Sequence, residues 1–230
     1  MTLTRCMIHS IVALGLIAFC CASVYGQSPT ITSITVPSTK CVYVVGAADA
    51  KPCSIGPGMG FVISGQNFGD AAESVSVCDC VDATIERWTS TRIVVMPNVV
   101  NPSSLIRVER AGGYWSNSVP YVALAPVISR IDVGTCTYYP NISRKLCAIT
   151  PGAQVTIHGR FFGSAPGQVS LCDCANNAAV DSWNPNWATD PTPYRNTIVV
   201  TAVEVVCGSS VAVESGGMWS NPVPYTTCPD

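Results

Sequence analysis

This chain is written twice. Pro29-Thr30-Ile31-Thr32-Ser33-Ile34 recurs as Pro126-Val127-Ile128-Ser129-Arg130-Ile131, and Gly65-Gln66-Asn67-Phe68-Gly69 as Gly159-Arg160-Phe161-Phe162-Gly163. Cys78-Asp79-Cys80 and Cys172-Asp173-Cys174 follow at the same distance in both stretches. Trp115-Ser116-Asn117-Ser118-Val119-Pro120-Tyr121 returns as Trp219-Ser220-Asn221-Pro222-Val223-Pro224-Tyr225. Matches in one order and at near-constant offsets mean a duplication, so whatever the unit folds into must close its core within about half the chain. We place the boundaries at 27–124 and 125–230.

Each unit has the size of an immunoglobulin-like sandwich. In the first, apolar runs closed by Gly, Pro, Asn or Ser predict strands at Ile31 to Val36, Phe61 to Ser64, Ser74 to Cys80, Ala83 to Arg87, Arg92 to Met96, Leu105 to Glu109 and Val119 to Ala123. Several alternate: Val75 and Val77 share one face, Ser74, Ser76 and Cys78 the other. With 18 Gly and 17 Pro spread through the chain, helical bundles and coiled coils are excluded. The expected class is all-β, two tandem immunoglobulin-like sandwiches. Only Ala123-Leu124-Ala125 lies between Tyr121-Val122 and Pro126, too little chain for free rotation, so a stiff pair is expected.

Residues 1–26 stand apart. Arg5 precedes an apolar stretch from Ile11 to Ala18, and Val24-Tyr25-Gly26 places small residues where a signal peptidase needs them, which predicts cleavage before Gln27. A lipoprotein anchor on Cys20 or Cys21 is the rival, but Phe19 or Cys20 would then precede the modified cysteine, where a small residue belongs. No second hydrophobic span follows, so a secreted, extracellular or cell-surface protein is expected, with no membrane span.

Thirteen cysteines become ten once Cys6, Cys20 and Cys21 leave with the signal: Cys41, Cys53, Cys78, Cys80, Cys136, Cys147, Cys172, Cys174, Cys207 and Cys228. Even parity in an exported chain reads as five disulfides rather than a zinc site, whose cysteines are usually spaced by two to four residues. Two cysteines two residues apart in an extended strand hold their Cβ atoms too far apart to bond. On that ground Cys78 and Cys80 reach back to Cys41 and Cys53, Cys172 and Cys174 to Cys136 and Cys147, with Cys207 joined to Cys228. Which loop cysteine meets which triplet cysteine stays open.

An opening Pro-x-Ile-x-x-Ile, a Gly-x-x-Phe-Gly closing the second strand, and a final Trp-Ser-Asn then Pro-Tyr resemble the IPT/TIG family of immunoglobulin-like domains, in two tandem copies covering nearly the whole mature chain. The resemblance implies a non-catalytic binding or spacing role, no active site and no cofactor. The cysteines and the long segment from Pro37 to Pro57 depart from the family pattern, so no partner-binding surface carries over.

Chemistry is sparse. Charged residues are 11% of the chain and the net charge is −2, which leaves no basic footprint for nucleic acid. His158 is the one histidine after residue 26, and the matching position of the first copy is Ser64, so it reads as an ordinary strand-end residue rather than a catalytic base. Glu73, Asp79, Asp82, Glu86, Asp173 and Asp181 read as solvated surface charges, and Asn141-Ile142-Ser143 fits a glycosylation acceptor. Trp115 and Trp219, like Trp88 and Trp183, occupy equivalent places and are expected to pack on the sandwiches. Trp187, Tyr194 and Arg195 have no counterpart in the first copy. They lie in a Pro-rich insertion, Asn184 to Asn196, and are the candidate ligand-binding residues.

The expected function is extracellular binding of a surface polysaccharide or another protein, without enzymatic activity. A self-assembling subunit of a surface structure or filament is the alternative, and a small secreted hydrolase is weaker. Intact mass of the secreted protein, alkylated without reductant, should show five disulfides and no modified thiol; a single alkylated cysteine breaks the parity argument.

Overall fold

A computed structural model describes residues 27–78, 83–143, 145–164, 166–172, 178–185 and 196–227. The expected signal segment, Asp79, Cys80, Asp82, Asp173, Cys174, Trp187, Tyr194, Arg195 and Cys228 lie outside the described residues. The first half contains β1 (Thr30–Val36), β2 (Cys41–Val44), β3 (Ser54–Ile55), β4 (Phe61–Gln66), β5 (Ser74–Ser76), β6 (Ala83–Trp88), β7 (Arg92–Pro97), β8 (Leu105–Arg110), β9 (Tyr114–Trp115), β10 (Val119–Pro120) and β11 (Val122–Ala123). The second contains β12 (Val127–Val133), β13 (Cys136–Tyr138), β14 (Gln154–Arg160), β15 (Gln168–Ser170), β16 (Ala178–Pro185), β17 (Asn196–Ala202), β18 (Ser210–Ser215), β19 (Met218–Trp219) and β20 (Val223–Pro224). The protein is all-β and built of sandwiches: a five-stranded sheet ordered β2-β1-β4-β7-β6 faces β10-β8-β5, and β13-β12-β14-β17-β16 faces β15-β18-β19, with β20 also on β18.

Alternation fills the space between the sheets. Ile31, Ile34 and Val36 of β1, Ile93 and Val95 of β7, and Ile106 and Val108 of β8 are buried, as are Ile128, Ile131, Ile198, Val200, Val211 and Val213 in the second half. These form two separate clusters. Even the irregularities repeat, for β1 and β12 each shift register against their neighbour, between Ile31 and Ser33 and between Ile128 and Arg130.

The repeated motifs are the ties that close each sandwich. β2 covers β1 only from Ser33 to Val36, leaving the N–H and C=O of Ile31 on an open edge. The Asn117 side chain takes both, its Oδ1 accepting from Ile31 N–H at 2.7 Å and its Nδ2 donating to Ile31 O at 3.1 Å. Asn221 does the same to Ile128 at 2.8 and 3.1 Å. Ser116 Oγ accepts from Val108 N–H, and Ser220 Oγ from Val213 N–H. The Tyr121 hydroxyl donates to Val77 O and accepts from Asn101 N–H; Tyr225 donates to Leu171 O and accepts from Val206 N–H.

The Gly-x-x-Phe-Gly motif has an equally mechanical purpose. A Cβ on Gly65 would run into Thr30 O and the Phe68 ring, and one on Gly159 into Val127 O and the Phe162 ring. Phe68 and Phe162 are fully buried, Phe68 edge-on to Trp88 and Phe162 tilted against Trp183, with ring centres 6.3 Å apart in both pairs. Each indole N–H donates to the last glycine of the motif, Gly69 O or Gly163 O, at 3.0 Å. Trp88 and Trp183 are therefore packing residues, as the sequence suggests.

The disulfides differ from expectation. Cys41 is bonded to Cys53, and Cys136 to Cys147. Two premises of the loop-to-triplet pairing fail. The segment after β1 is no open loop: it returns as β2, whose Cys41 stands opposite Val36, and Cys53 immediately precedes β3. And β5 ends at Ser76, so Cys78 lies beyond the extended stretch that the spacing rule requires. Cys78, Cys172 and Cys207 are also disulfide-bonded. Each loop staple spans 12 or 11 residues, worth about 3 kcal/mol in the chain-entropy account.

The chain passes between halves along a tied strand. β11 pairs in parallel with β3, and Leu124 N–H donates to Ile55 O at 2.9 Å. Beyond it, Phe161 and Met218 of the second half pack on the core of the first. Phe161 has φ +63°, left-handed for a bulky residue, and its ring lies where a Cβ on Gly56 would be. Gly163 fits against Asn98 O and Pro57, Gly216 against Val100 O. A left-handed Phe costs about 1–3 kcal/mol, which this seating must offset.

Asn117→Ala and Asn221→Ala should each lower stability by about 1–2 kcal/mol by stranding two edge groups, whereas Gly65→Ala and Gly159→Ala, which meet backbone, should cost more; denaturant melts rank the four. Phe161→Asn, placing the residue found at the matching Asn67, should leave both halves folded but separate their rotational correlation times in ¹⁵N relaxation.

Candidate functional site

The interiors of the halves match, so function is sought where their outer faces differ. On the smaller sheet of the first half, direct strand pairing sets Ser74 opposite Glu109 and Glu109 opposite Trp115, while Ser76 faces Arg107. Because neighbours Val75 and Val108 point inward, this row points outward. Ser74 Oγ donates to Glu109 Oε2 at 2.6 Å, and the Arg107 guanidinium lies 5.1 Å from the Trp115 ring centre. Ser76, at the foot of the row, is 2% exposed, and its hydroxyl oxygen has no partner among the described residues.

Trp115 is 37% exposed and Trp219 45%. Both rings are only partly covered, less so than their equivalent positions lead one to expect. They sit in two-residue strands at the rim of the smaller sheet, paired on one side only, with Trp219 opposite Glu214. In the second half Ala212 stands opposite Ser170, where the first half sets Arg107 opposite Ser76. An indole flanked by guanidinium and carboxylate therefore occurs on the first half's face, while the second keeps the indole and carboxylate alone.

A second cluster lies on the larger sheet of the second half. His158 is not a strand-end residue but sits inside β14, paired with Arg130 on one side and Thr197 on the other. Its Nε2 is 2.9 Å from Asp132 Oδ2 and 2.8 Å from the Arg130 guanidinium, which also contacts Asp132 Oδ2 at 3.1 Å. Thr197 Oγ1 stands 3.4 Å from Nδ1. Arg130, His158, Tyr139 and Ser129 line a cavity of about 250 Å³. The sequence presents His158 alone because its companions lie on a different strand. A signal is nonetheless present: Arg130 and Asp132 are two apart in a predicted strand that the duplication aligns with β1, the partner of β4.

Of the other candidates, Glu73 and Glu86 are exposed, and Asp181 accepts hydrogen bonds from Thr201 at 2.8 Å and Gln154 at 3.5 Å. Asn141 is exposed, and Ser143 Oγ accepts from Tyr139 N–H. The candidate ligand-binding residues Trp187, Tyr194 and Arg195 fall outside the described residues. Among the described residues no helix is long and apolar enough to cross a membrane, and no three His, Cys, Asp or Glu side chains gather as a metal site would require.

No protein-family model matches the chain, and no curated protein is similar in sequence. Solved structures do align with it. A surface glycan-binding protein of Prevotella bryantii is 16% identical over 87% of this chain and 42% of its own, with a TM-score of 0.38. A protein from a xyloglucan utilization locus of Bacteroides uniformis is 17% identical over 87% and 49%, with a TM-score of 0.30. The plexin A4 extracellular region is 18% identical over 89% and 19%, with a TM-score of 0.32. The chain thus spans less than half the length of each of these proteins, and similarity this loose transfers no function.

Proposed function

We propose that the protein is a secreted, non-enzymatic module of two tandem IPT/TIG-type domains, 27–124 and 125–230 after a signal segment of 1–26, that binds an extracellular polysaccharide. The observation that carries this reading is the Trp115 face. The part-exposed indole, with the Arg107 guanidinium over its ring and Glu109 opposite it on the next strand, offers apolar surface to a sugar ring next to charged groups that can meet its hydroxyls. The row is carried on paired strands rather than a loop, so little backbone freedom is lost on binding. Disulfide staples in both halves support an oxidising, extracellular setting.

Enzymatic work is disfavoured by the same geometry that surrounds His158. Its Nε2 is engaged by Asp132 and Arg130, and the Thr197 hydroxyl stands 3.4 Å from Nδ1, too far for the short hydrogen bond by which a general base activates a nucleophile.

The test is a panel of neutral plant and microbial polysaccharides in affinity electrophoresis. Trp115→Ala should weaken retardation by at least tenfold with a melting temperature within a degree or two of the parent, and Trp219→Ala should weaken it less. Unchanged retardation in Trp115→Ala, alongside loss in a Trp187→Ala, Tyr194→Ala double variant, would move the site to the Pro-rich insertion. Capture of a protein but no glycan would replace the ligand class.

A further inference from the structure

We propose that the outer face of the second half holds a carboxylate-binding site that opens when His158 is protonated, and that its ligand is a uronate residue of an acidic glycan. The choice of a glycan as carrier rests on the binding role proposed above; the carboxylate follows from this site's own residues.

Three atoms compete here. Arg130 Nη2, His158 Nε2 and Asp132 Oδ2 form a triangle with sides of 2.8, 2.9 and 3.1 Å. A guanidinium only donates, so its contact with Nε2 is a hydrogen bond only when the imidazole is neutral with its proton on Nδ1 toward Thr197, whereas the contact of Nε2 with Asp132 Oδ2 is one only when Nε2 carries a proton. With the imidazole neutral, Arg130 Nη2 is shared between Nε2 and Asp132 Oδ2, its buried Nε has no partner among the described residues, and the trio is neutral. Once imidazole is protonated, Nε2–H donates to Asp132 and has no lone pair to offer. Arg130 Nη2 then faces a cation 2.8 Å away and keeps only Asp132 as acceptor, which favours its swing away from the imidazole.

The cavity gives it somewhere to go. Arg130 and Ser129 border it with Tyr139, whose ring centre is 6.0 Å from the guanidinium and which is 39% exposed. With the trio now carrying one net positive charge, a carboxylate can engage the guanidinium fork, and a sugar ring bearing that carboxylate can lie against the phenol. The charged groups of the neighbouring strands are engaged elsewhere. Arg160, further along β14, lies over Phe161, Asp181 of β16 is bound to Thr201 and Gln154, and β17 contributes Thr197.

The fold does not require this trio. Ser33 pairs with Ser64 in the first half where Arg130 pairs with His158 in the second, and Thr35 takes the place of Asp132. Three hydroxyl residues serve the same register, so three ionisable ones are an addition.

The test is calorimetric titration with trigalacturonate at pH 5 and pH 8, which bracket the ordinary histidine pKa of about 6.5 while leaving uronate carboxylates ionised. Binding should be at least tenfold tighter at pH 5 and accompanied by proton uptake. Arg130→Gln should abolish it at both values. Asp132→Asn, which removes the competing carboxylate, should bind at pH 8 within about threefold of the parent at pH 5. The imidazole Cε1–H resonance of His158, readily assigned in a chain with two histidines, should titrate at higher pH with ligand present. Equal or absent binding by the parent at the two pH values, or a His158 titration unmoved by ligand, would overturn the site. So would loss of trigalacturonate binding in Trp115→Ala but not in Arg130→Gln, a result that leaves the polysaccharide-binding role standing.

Discussion

One primary amide holds each sandwich shut. Asn117 and Asn221 come from the smaller sheet and bond the N–H and C=O of a single residue on the first strand of the larger one. Without them the opening turn of that strand has no neighbour on one edge, because β2 and β13 begin pairing only at Ser33 and Ile131. A side chain here does what a sixth strand would otherwise do. Since the amide must reach across the gap, the preceding serine and the following Pro-Tyr are fixed with it: the serine closes the adjacent strand, and the tyrosine hydroxyl pins the loop on the opposite side of the core.

These ties explain why so much of the fold is legible in the sequence. Trp-Ser-Asn, Pro-Tyr and Gly-x-x-Phe-Gly recur because each residue makes a bond or leaves a space that no other residue would. Burial alone would have let Ile, Val and Leu interchange and erased the repeat. The loop staples are less legible for a physical reason. Cys-x-Cys spacing is informative only if the backbone around it is extended, and an apolar run such as Val75-Ser76-Val77-Cys78 does not reveal that the strand stops at Ser76. Nor does Cys41-Val42-Tyr43-Val44 announce itself as a strand between a Pro-Ser-Thr turn and a Gly-Ala segment.

The site is legible only in pieces. Arg130, Asp132 and His158 are scattered over two strands, and the register that unites them comes from a β-bulge between Ile128 and Arg130. Sliding one strand by a residue would send Arg130 into the core. Trp115 and Trp219 mislead for the opposite reason: equivalence between copies reads as a sign of packing, yet the two rings keep equivalent positions at an exposed rim. Between the halves, a constant interior and freedom on the outer faces have left one indole beside a guanidinium and the other beside an alanine.

The junction between the halves also limits how it can be repeated. Gly56 is buried beneath Phe161 and Pro57 beside Gly163, whereas the corresponding Thr150 and Pro151 of the second half are exposed; and where the second half presents Phe161, the first has Asn67, hydrogen-bonded to Gln27. One pole of the molecule has lost its knob and the other its socket. A further repeat, or a second molecule stacked end to end, would meet an amide where it needs a phenyl ring and a threonine side chain where it needs a vacancy. The contact that joins the halves is therefore one-sided: Asn67 and Thr150 stand where its repetition would need a ring and a vacancy.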